Sequence, residues 1–167
     1  MRPHALIRES TASDVPAMTE IYRHHVLHGT GSFEVEPPDE IEFGKRRDAI
    51  VSRSLPWLVA EKDGLVVGYA YAGPFRAREA YRFTLEDSIY VRAESIGQGV
   101  GRLLLEKLIE RCREGGYKQI LALIGDSRNT GSIRVHEVCG FRHSGVFKDV
   151  GIKNERWLDV VLMQLEL

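Results

Sequence analysis

Between a predicted strand ending at Val91 and an amphipathic stretch beginning at Val100 lies Gly97-Gln98-Gly99-Val100-Gly101-Arg102. Glycine inside a helix or strand costs roughly 0.5–1 kcal/mol against alanine, so a cluster of this kind belongs to a sharp turn. The stretch after the turn is helical: Val100, Leu104, Leu108 and Cys112 share one face beside Leu105 and Ile109, and Gly115-Gly116 end it. Unpaired N–H groups and the dipole at such a helix start favour an anion, and glycine lets the backbone approach a phosphate closely. The same residues also suit a plain strand-to-helix turn. Two common phosphate motifs are excluded: Gly97-x-Gly99 leads to Arg102 and Gly99-x-Gly101 to Leu104, so the third Rossmann glycine is missing. Gly101 is followed by Arg102-Leu103, so a Walker loop would lack its lysine and its magnesium-binding hydroxyl.

Around this turn the pattern alternates helices with strands. Val15, Met18, Ile21, Tyr22 and Val26 predict a helix from Asp14 to Leu27, and Asp39 caps a second helix reaching about Arg53. The stretch between them, Gly29 to Asp39, is rich in Gly and Pro and reads as a long loop of the kind that often carries function. Pro56–Ala60 and Leu65–Tyr71 flank Lys62-Asp63-Gly64 and predict a β-hairpin. Further strands are expected at Phe83–Val91 and Gln119–Ile124, then a short helix over Ser132–Cys139 closed by Gly140. Phe141–Val150 and Trp157–Leu165 complete the chain as an antiparallel pair. The class is mixed α/β, with strands outnumbering helices.

A chain of 167 residues with 43% hydrophobic content suits one domain with a substantial core. Its 23 basic and 24 acidic side chains nearly cancel, so nothing in the overall charge points to nucleic acid or to a membrane surface. Met1-Arg2-Pro3-His4 opens no apolar export segment, and no later run approaches a membrane span, so a cytoplasmic setting is expected. Cys112 and Cys139 form no CxxC and read as buried reduced thiols. His24 and His28 have the i, i+4 spacing of half a zinc site but lack a third ligand, so a helix-surface or dimer-contact role is the better reading and no metal is expected.

Several motifs in order resemble the GNAT family of N-acetyltransferases: Ser88-Ile89-Tyr90-Val91, the Gly97–Gly101 loop, Asn129-Thr130-Gly131-Ser132, His136 and Gly140-Phe141. Within it the chain is most similar to the branch that acetylates phosphinothricin and methionine sulfoximine. Gly31-Ser32-Phe33-Glu34 before Pro37-Pro38, Thr84 to Val91, Gly151-x-Lys153 and Arg156-Trp157-Leu158-Asp159 carry that likeness, which spans essentially the whole chain. One departure is Ile96, where the family usually has Arg or Gln. The resemblance implies a mostly antiparallel central sheet flanked by helices, with an acyl-CoA cleft between splayed central strands. It also implies a homodimer, acetyl-CoA as cosubstrate, and a small amine as acceptor.

By the same resemblance, the backbone of Ile89, Tyr90 and Val91 pairs with the pantetheine arm. Gly97, Gln98, Gly99, Val100, Gly101 and Arg102 hold the pyrophosphate, and Asn129 and Ser132 bind nearby; read from residues alone, Asn129 to Ser132 is a helix-capping segment. An ammonium must lose a proton before it attacks, so a base is needed. Glu86 is the candidate, placed by the resemblance beside the amine with Asp87 and Ser88; the alternative is a surface carboxylate paired with Arg82. His136 occupies the position where many relatives use a tyrosine acid. It is either that acid, or the base with Glu86 as an ammonium ligand, or a packed structural histidine. In Phe75-Arg76-Ala77-Arg78 the two arginines alternate, so in an extended segment both reach one side and suit an acidic substrate, while a solvated turn explains them equally. Phe33 is expected to cover the substrate. Acetyl transfer to the α-amino group of a small amino-acid-like acid, by direct attack in a ternary complex, is the leading expectation. Acetylation of a protein or peptide, and a non-catalytic acyl-CoA sensor, are the alternatives.

Overall fold

The structure is a computed structural model that describes residues 5–167; Met1–His4, on which the expectation of no export segment rests, lie outside the described residues. The elements follow the order β1 (Leu6–Glu9), α1 (Val15–His28), α2 (Glu40–Val51), β2 (Trp57–Lys62), β3 (Leu65–Pro74) and β4 (Thr84–Val91). After the glycine turn come α3 (Val100–Glu114), β5 (Gln119–Gly125), α4 (Thr130–Val138), β6 (Arg142–Lys153) and β7 (Arg156–Glu166). The strands form one sheet in the order β1-β2-β3-β4-β5-β7-β6, antiparallel throughout except where β4 runs parallel to β5. The mixed, mostly antiparallel sheet flanked by helices is therefore observed.

Both faces of the central strands are covered, as apolar runs such as Trp57–Ala60 require. On one face α3 buries Val100, Leu104, Leu105, Leu108, Ile109 and Cys112 against Leu58, Ala60, Leu85 and Ile120. On the other, Met18, Ile21, Tyr22 and Val26 of α1 and Phe43 of α2 pack on Trp57, Val59 and Tyr69. The β2–β3 turn forms at Asp63 (φ 52°) and Gly64 (φ 77°), as the Asp-Gly step demands. Asp39 caps α2 by accepting from the backbone of Glu42 at 2.8 Å.

Three features differ from the sequence expectations. β1 precedes both helices: it is a four-residue edge strand, paired with β2 from Leu6↔Glu61 to Glu9↔Leu58, too short to carry an alternating pattern. The last hairpin runs on to Lys153 and turns at Asn154 (φ 51°) and Glu155 (φ 60°), without the glycine that usually marks such a turn. Cys112 is buried but Cys139 only partly so, and both are free thiols. Among the described residues no helix is long and apolar enough to cross a membrane.

Candidate active site

β4 and β5 pair only from Thr84↔Gln119 to Glu86↔Leu121. Beyond Glu86 they diverge: β4 keeps β3 on one edge up to Val91, while β5 pairs with β7 up to Gly125. The wedge between them is a cleft of about 610 Å³, walled by Asp87–Val91, Ala122–Asp126, the start of α3, the start of α4, and Gly29–Gly31. The free edge of Ser88–Val91 thus faces a cavity rather than a strand, and offers its backbone groups to an extended ligand as a β-partner would.

At one end of the cleft the glycine turn delivers α3. Gly97 (φ 79°) and Gly99 (φ 83°) both sit in the left-handed region, which L side chains rarely adopt, and Gly99 is the residue before the first helical turn. The first N–H groups of α3 have no carbonyl partner within the helix, so they and the dipole make an anion cradle. Gly97, Gly99, Val100, Gly101 and Arg102 line the cleft, as does exposed Ile96. Gln98 does not: its amide donates to the Glu94 carbonyl at 2.8 Å and its oxygen accepts from Lys62 at 3.2 Å. Arg102 is held by Glu106 at 2.7 Å.

Across the cleft, Asn129 both lines the wall and caps α4, accepting from the Ser132 backbone at 3.4 Å; Ser132 lines it too. His136 comes one turn later, 4% exposed, with Nδ1 donating to the Ser132 carbonyl at 2.7 Å and Nε2 at 2.8 Å from Asp87 Oδ2. Burial lowers its pKa, but the charge and hydrogen bond of Asp87, with the Ser132 carbonyl, outweigh this and leave it raised. Asp87, expected among the substrate contacts, is instead committed to His136, and its Oδ1 is buried without a partner.

Glu86 follows the strand alternation to the opposite face from Asp87 and does not line the cleft. It is half-buried, and desolvation, then the neighbouring Asp87 charge, raise its pKa, while Arg76 lowers it. Arg82 pairs with Glu79 at 3.8 Å rather than with Glu86. The Phe75–Arg78 segment is not extended: it bends into a short 3-10 turn over Glu79–Tyr81. Arg76 bonds back to the Phe75 carbonyl at 3.3 Å with its guanidinium 4.5 Å over the Phe75 ring, and Arg76, Ala77 and Arg78 are all exposed. Phe33 lies over the strand ends. A Cβ on Gly125 would meet its ring at 2.9 Å and the Thr30 carbonyl at 2.6 Å, and one on Gly151 would collide with the same ring.

His25 and Asp126 are cleft residues with ordered polar contacts that the sequence expectations do not name. His25 donates from Nε2 to the Val91 carbonyl at 2.7 Å, and burial lowers its pKa; no local pattern marks it. Asp126 (φ 69°) gathers Thr30, the Arg128 backbone and Arg156; the Gly125-Asp126 step after a strand is the turn signal that could have found it. The rings of His24 and His28 lie 5.0 Å apart on α1, tilted at 47°, and among the described residues no group of three metal-ligating side chains gathers.

A cleft opened by splayed parallel strands, with an anion cradle at one end and titratable groups at the other, defines an acyl-transfer enzyme. The chain belongs to the Acetyltransferase (GNAT) family, whose model matches residues 18–141. It is 53% identical over 161 residues to a phosphinothricin N-acetyltransferase from Alcaligenes faecalis, covering 96% of this chain and 82% of that one. A methionine sulfoximine/methionine sulfone acetyltransferase from Salmonella typhimurium is 38% identical, covering 96% and 94%. A crystal structure of a phosphinothricin acetyltransferase from Sinorhizobium meliloti, in complex with AcCoA, superposes with a TM-score of 0.95 at 43% identity, covering 98% of this chain and 88% of that one. A structure described as a ribosomal-protein-alanine N-acetyltransferase from Brucella melitensis matches with a TM-score of 0.94 at 39% identity, covering 97% and 99%.

Proposed function

We propose that this acetyltransferase moves the acetyl group of acetyl-CoA to the α-amino group of a small amino-acid-like acid such as phosphinothricin or methionine sulfoximine, by direct attack in a ternary complex. The observation that carries the reading is the divergence of β4 from β5 after Glu86, which sets an open backbone edge between the α3 anion cradle and the Asp87–His136 pair, with Glu86 at the point where the strands part. In this reading the amides of Gly97 to Arg102 hold the pyrophosphate, Ile89 to Val91 pair with the pantetheine arm, and Asn129 and Ser132 flank it. The side chain of Gln98 supports the loop rather than the ligand.

Glu86 takes the proton that the attacking nitrogen must lose; its raised pKa suits a base at neutral pH. The nitrogen–carbon bond forms, the carbon–sulfur bond breaks with its electron pair on sulfur, and one proton is returned to sulfur. Neither thiol fits a covalent intermediate, because burial pushes Cys112 up to about 12 and Cys139 up to about 11. Arg76 and Arg78, flanking Ala77, receive the acid groups of the acceptor, Ser88 contributes beside Glu86, and Phe33 covers the pocket. A cytoplasmic setting, where acetyl-CoA and reduced thiols coexist, fits this role. A second copy of the chain covers the edge strand β6, whose Phe147, Val150 and Ile152 are more than half exposed, as is Trp157 beside it on β7.

Thiol-release kinetics test the reading. With acetyl-CoA, turnover is expected on phosphinothricin or on methionine sulfoximine and its sulfone, and not on peptides. Turnover on alanine-starting peptides alone would replace it with protein N-acetylation, and binding of acetyl-CoA without turnover on any amine would make the chain a sensor.

A further inference from the structure

We propose that Asp87 is a positioning residue that holds His136 doubly protonated, so that His136 stands on the acid side of the reaction and proton acceptance falls to Glu86. The inference rests on the acetyltransferase reading for its catalytic meaning, but its structural content stands on the geometry of the pair.

Both ring nitrogens of His136 face acceptors. Ser132 offers a carbonyl oxygen, which can only accept, so Nδ1 carries a proton. Nε2 faces a carboxylate oxygen at 2.8 Å, and an ionised carboxylate also only accepts, so Nε2 carries the second. A neutral ring would set a lone pair against Asp87 at hydrogen-bond distance. Asp87 is 7% exposed, with Oδ1 buried and unpartnered, and among the described residues its ion-pair partner is His136. A buried carboxylate left with an unsatisfied oxygen needs a cation, and the imidazolium is the cation within reach.

Other groups around the ring do not compete. Phe141 packs edge-on at 4.9 Å. Cys112 on α3 and Cys139 after α4 are pushed up by burial, with the Asp87 charge adding to both, so at neutral pH they are uncharged thiols. Glu86 lies next in the chain but on the opposite face of β4. In acetyl transfer the nitrogen loses one proton and the sulfur gains one. A ring that already holds two protons can give but not take. It is therefore assigned to the sulfur through the Nε2 proton shared with Asp87 at the cleft wall; the proton leaving nitrogen goes to Glu86, which releases it to solvent as solvent returns one to the ring.

Nitrogen-15 spectra of histidine-labelled protein, with His136 assigned through H136Q, read the ring directly and need no substrate. The wild-type ring is expected to keep both protons at pH values above the usual histidine range of about 6.5. In D87N it should titrate lower and carry one proton, on Nδ1, at neutral pH. A wild-type ring with a single proton at pH 7, or a D87N ring that titrates like the wild type, overturns the proposal. The wild-type spectrum decides alone if D87N does not fold. In kinetics, D87N should lower kcat roughly tenfold or more, the low end of what general acid–base groups contribute. It should leave coenzyme A affinity in place and move the alkaline fall of the pH–rate profile to lower pH. Loss of affinity with an unmoved profile contradicts the proposal, whereas a doubly protonated ring in a protein that acetylates no amine contradicts the enzyme reading and leaves the pair intact.

Discussion

The two ends of the active site are built from different materials. The end proposed for the cofactor is made of backbone: the open edge of Ser88–Val91, the left-handed Gly97 and Gly99, and the first amides of α3. The end proposed for the acceptor is made of side chains drawn from separate segments: Phe33 on the long loop, Arg76 and Arg78 on a bend, Glu86 on β4. A backbone site is rigid and indifferent to most substitutions except at its glycines. A side-chain site on bends is adjustable by substitution without disturbing the fold.

The comparison breaks most sharply at Glu86. Glu86→Gln should lower kcat by about 10²–10⁴-fold, the contribution of a positioned general base, with coenzyme A affinity unchanged. In the wild type, desolvation raises the Glu86 pKa, so activity should fall as pH drops through that raised value. The variant should lose this acid limb; an acid limb that persists would remove Glu86 as the base.

Next in size is the backbone end. Gly99→Val forces a branched side chain into a φ of 83° and sets it where a phosphate would approach. Calorimetry should show coenzyme A binding weakened by about tenfold or more, on a left-handed penalty of roughly 1–2 kcal/mol plus lost amide contacts. Unchanged affinity in a folded variant would move the phosphate elsewhere.

Arg76→Lys or Arg78→Lys keeps charge but loses planar two-donor geometry, at a cost of about 1.5–3 kcal/mol for a hydrogen bond to a charged group. This should appear as roughly a tenfold fall in kcat/KM for phosphinothricin, with little change for an uncharged amine. Equal losses on both would mark the arginines as surface residues.

The smallest effect is expected at Asn129, where cap and cleft wall coincide. Asn129→Ala should cost about 1 kcal/mol of stability through the lost cap, read as a lower Tm. A coenzyme A affinity that does not move with it would leave Asn129 a cap alone.

The same division explains what the sequence made legible. Gly97, Gly99, Asp63-Gly64 and Asp39 announce their turns and caps because local geometry requires those residue types. The α3 face and the buried strands follow from periodicity. β1 escaped because four residues, none of them buried, are too few to carry a period, and the length of β6 because its turn uses Asn154-Glu155. The Asp87–His136 pair, the His25 bond to Val91 and the seat of Phe33 against Gly125 and Gly151 join residues far apart in the chain, and no local pattern encodes them. For Arg76 and Arg78 alternation suggested a shared side, but the bend at Phe75–Arg78 overrides it.

Direct transfer to an α-amino group is the central claim, and a single-turnover quench tests it. Enzyme loaded with isotopically labelled acetyl-CoA is mixed with phosphinothricin, stopped within one turnover, and both protein and product are weighed by mass spectrometry. The account predicts an unmodified chain at every time point and a label on the product's α-nitrogen. A transient chain heavier by one acetyl group that decays as product forms, or a label that never reaches the amino acid, would contradict it.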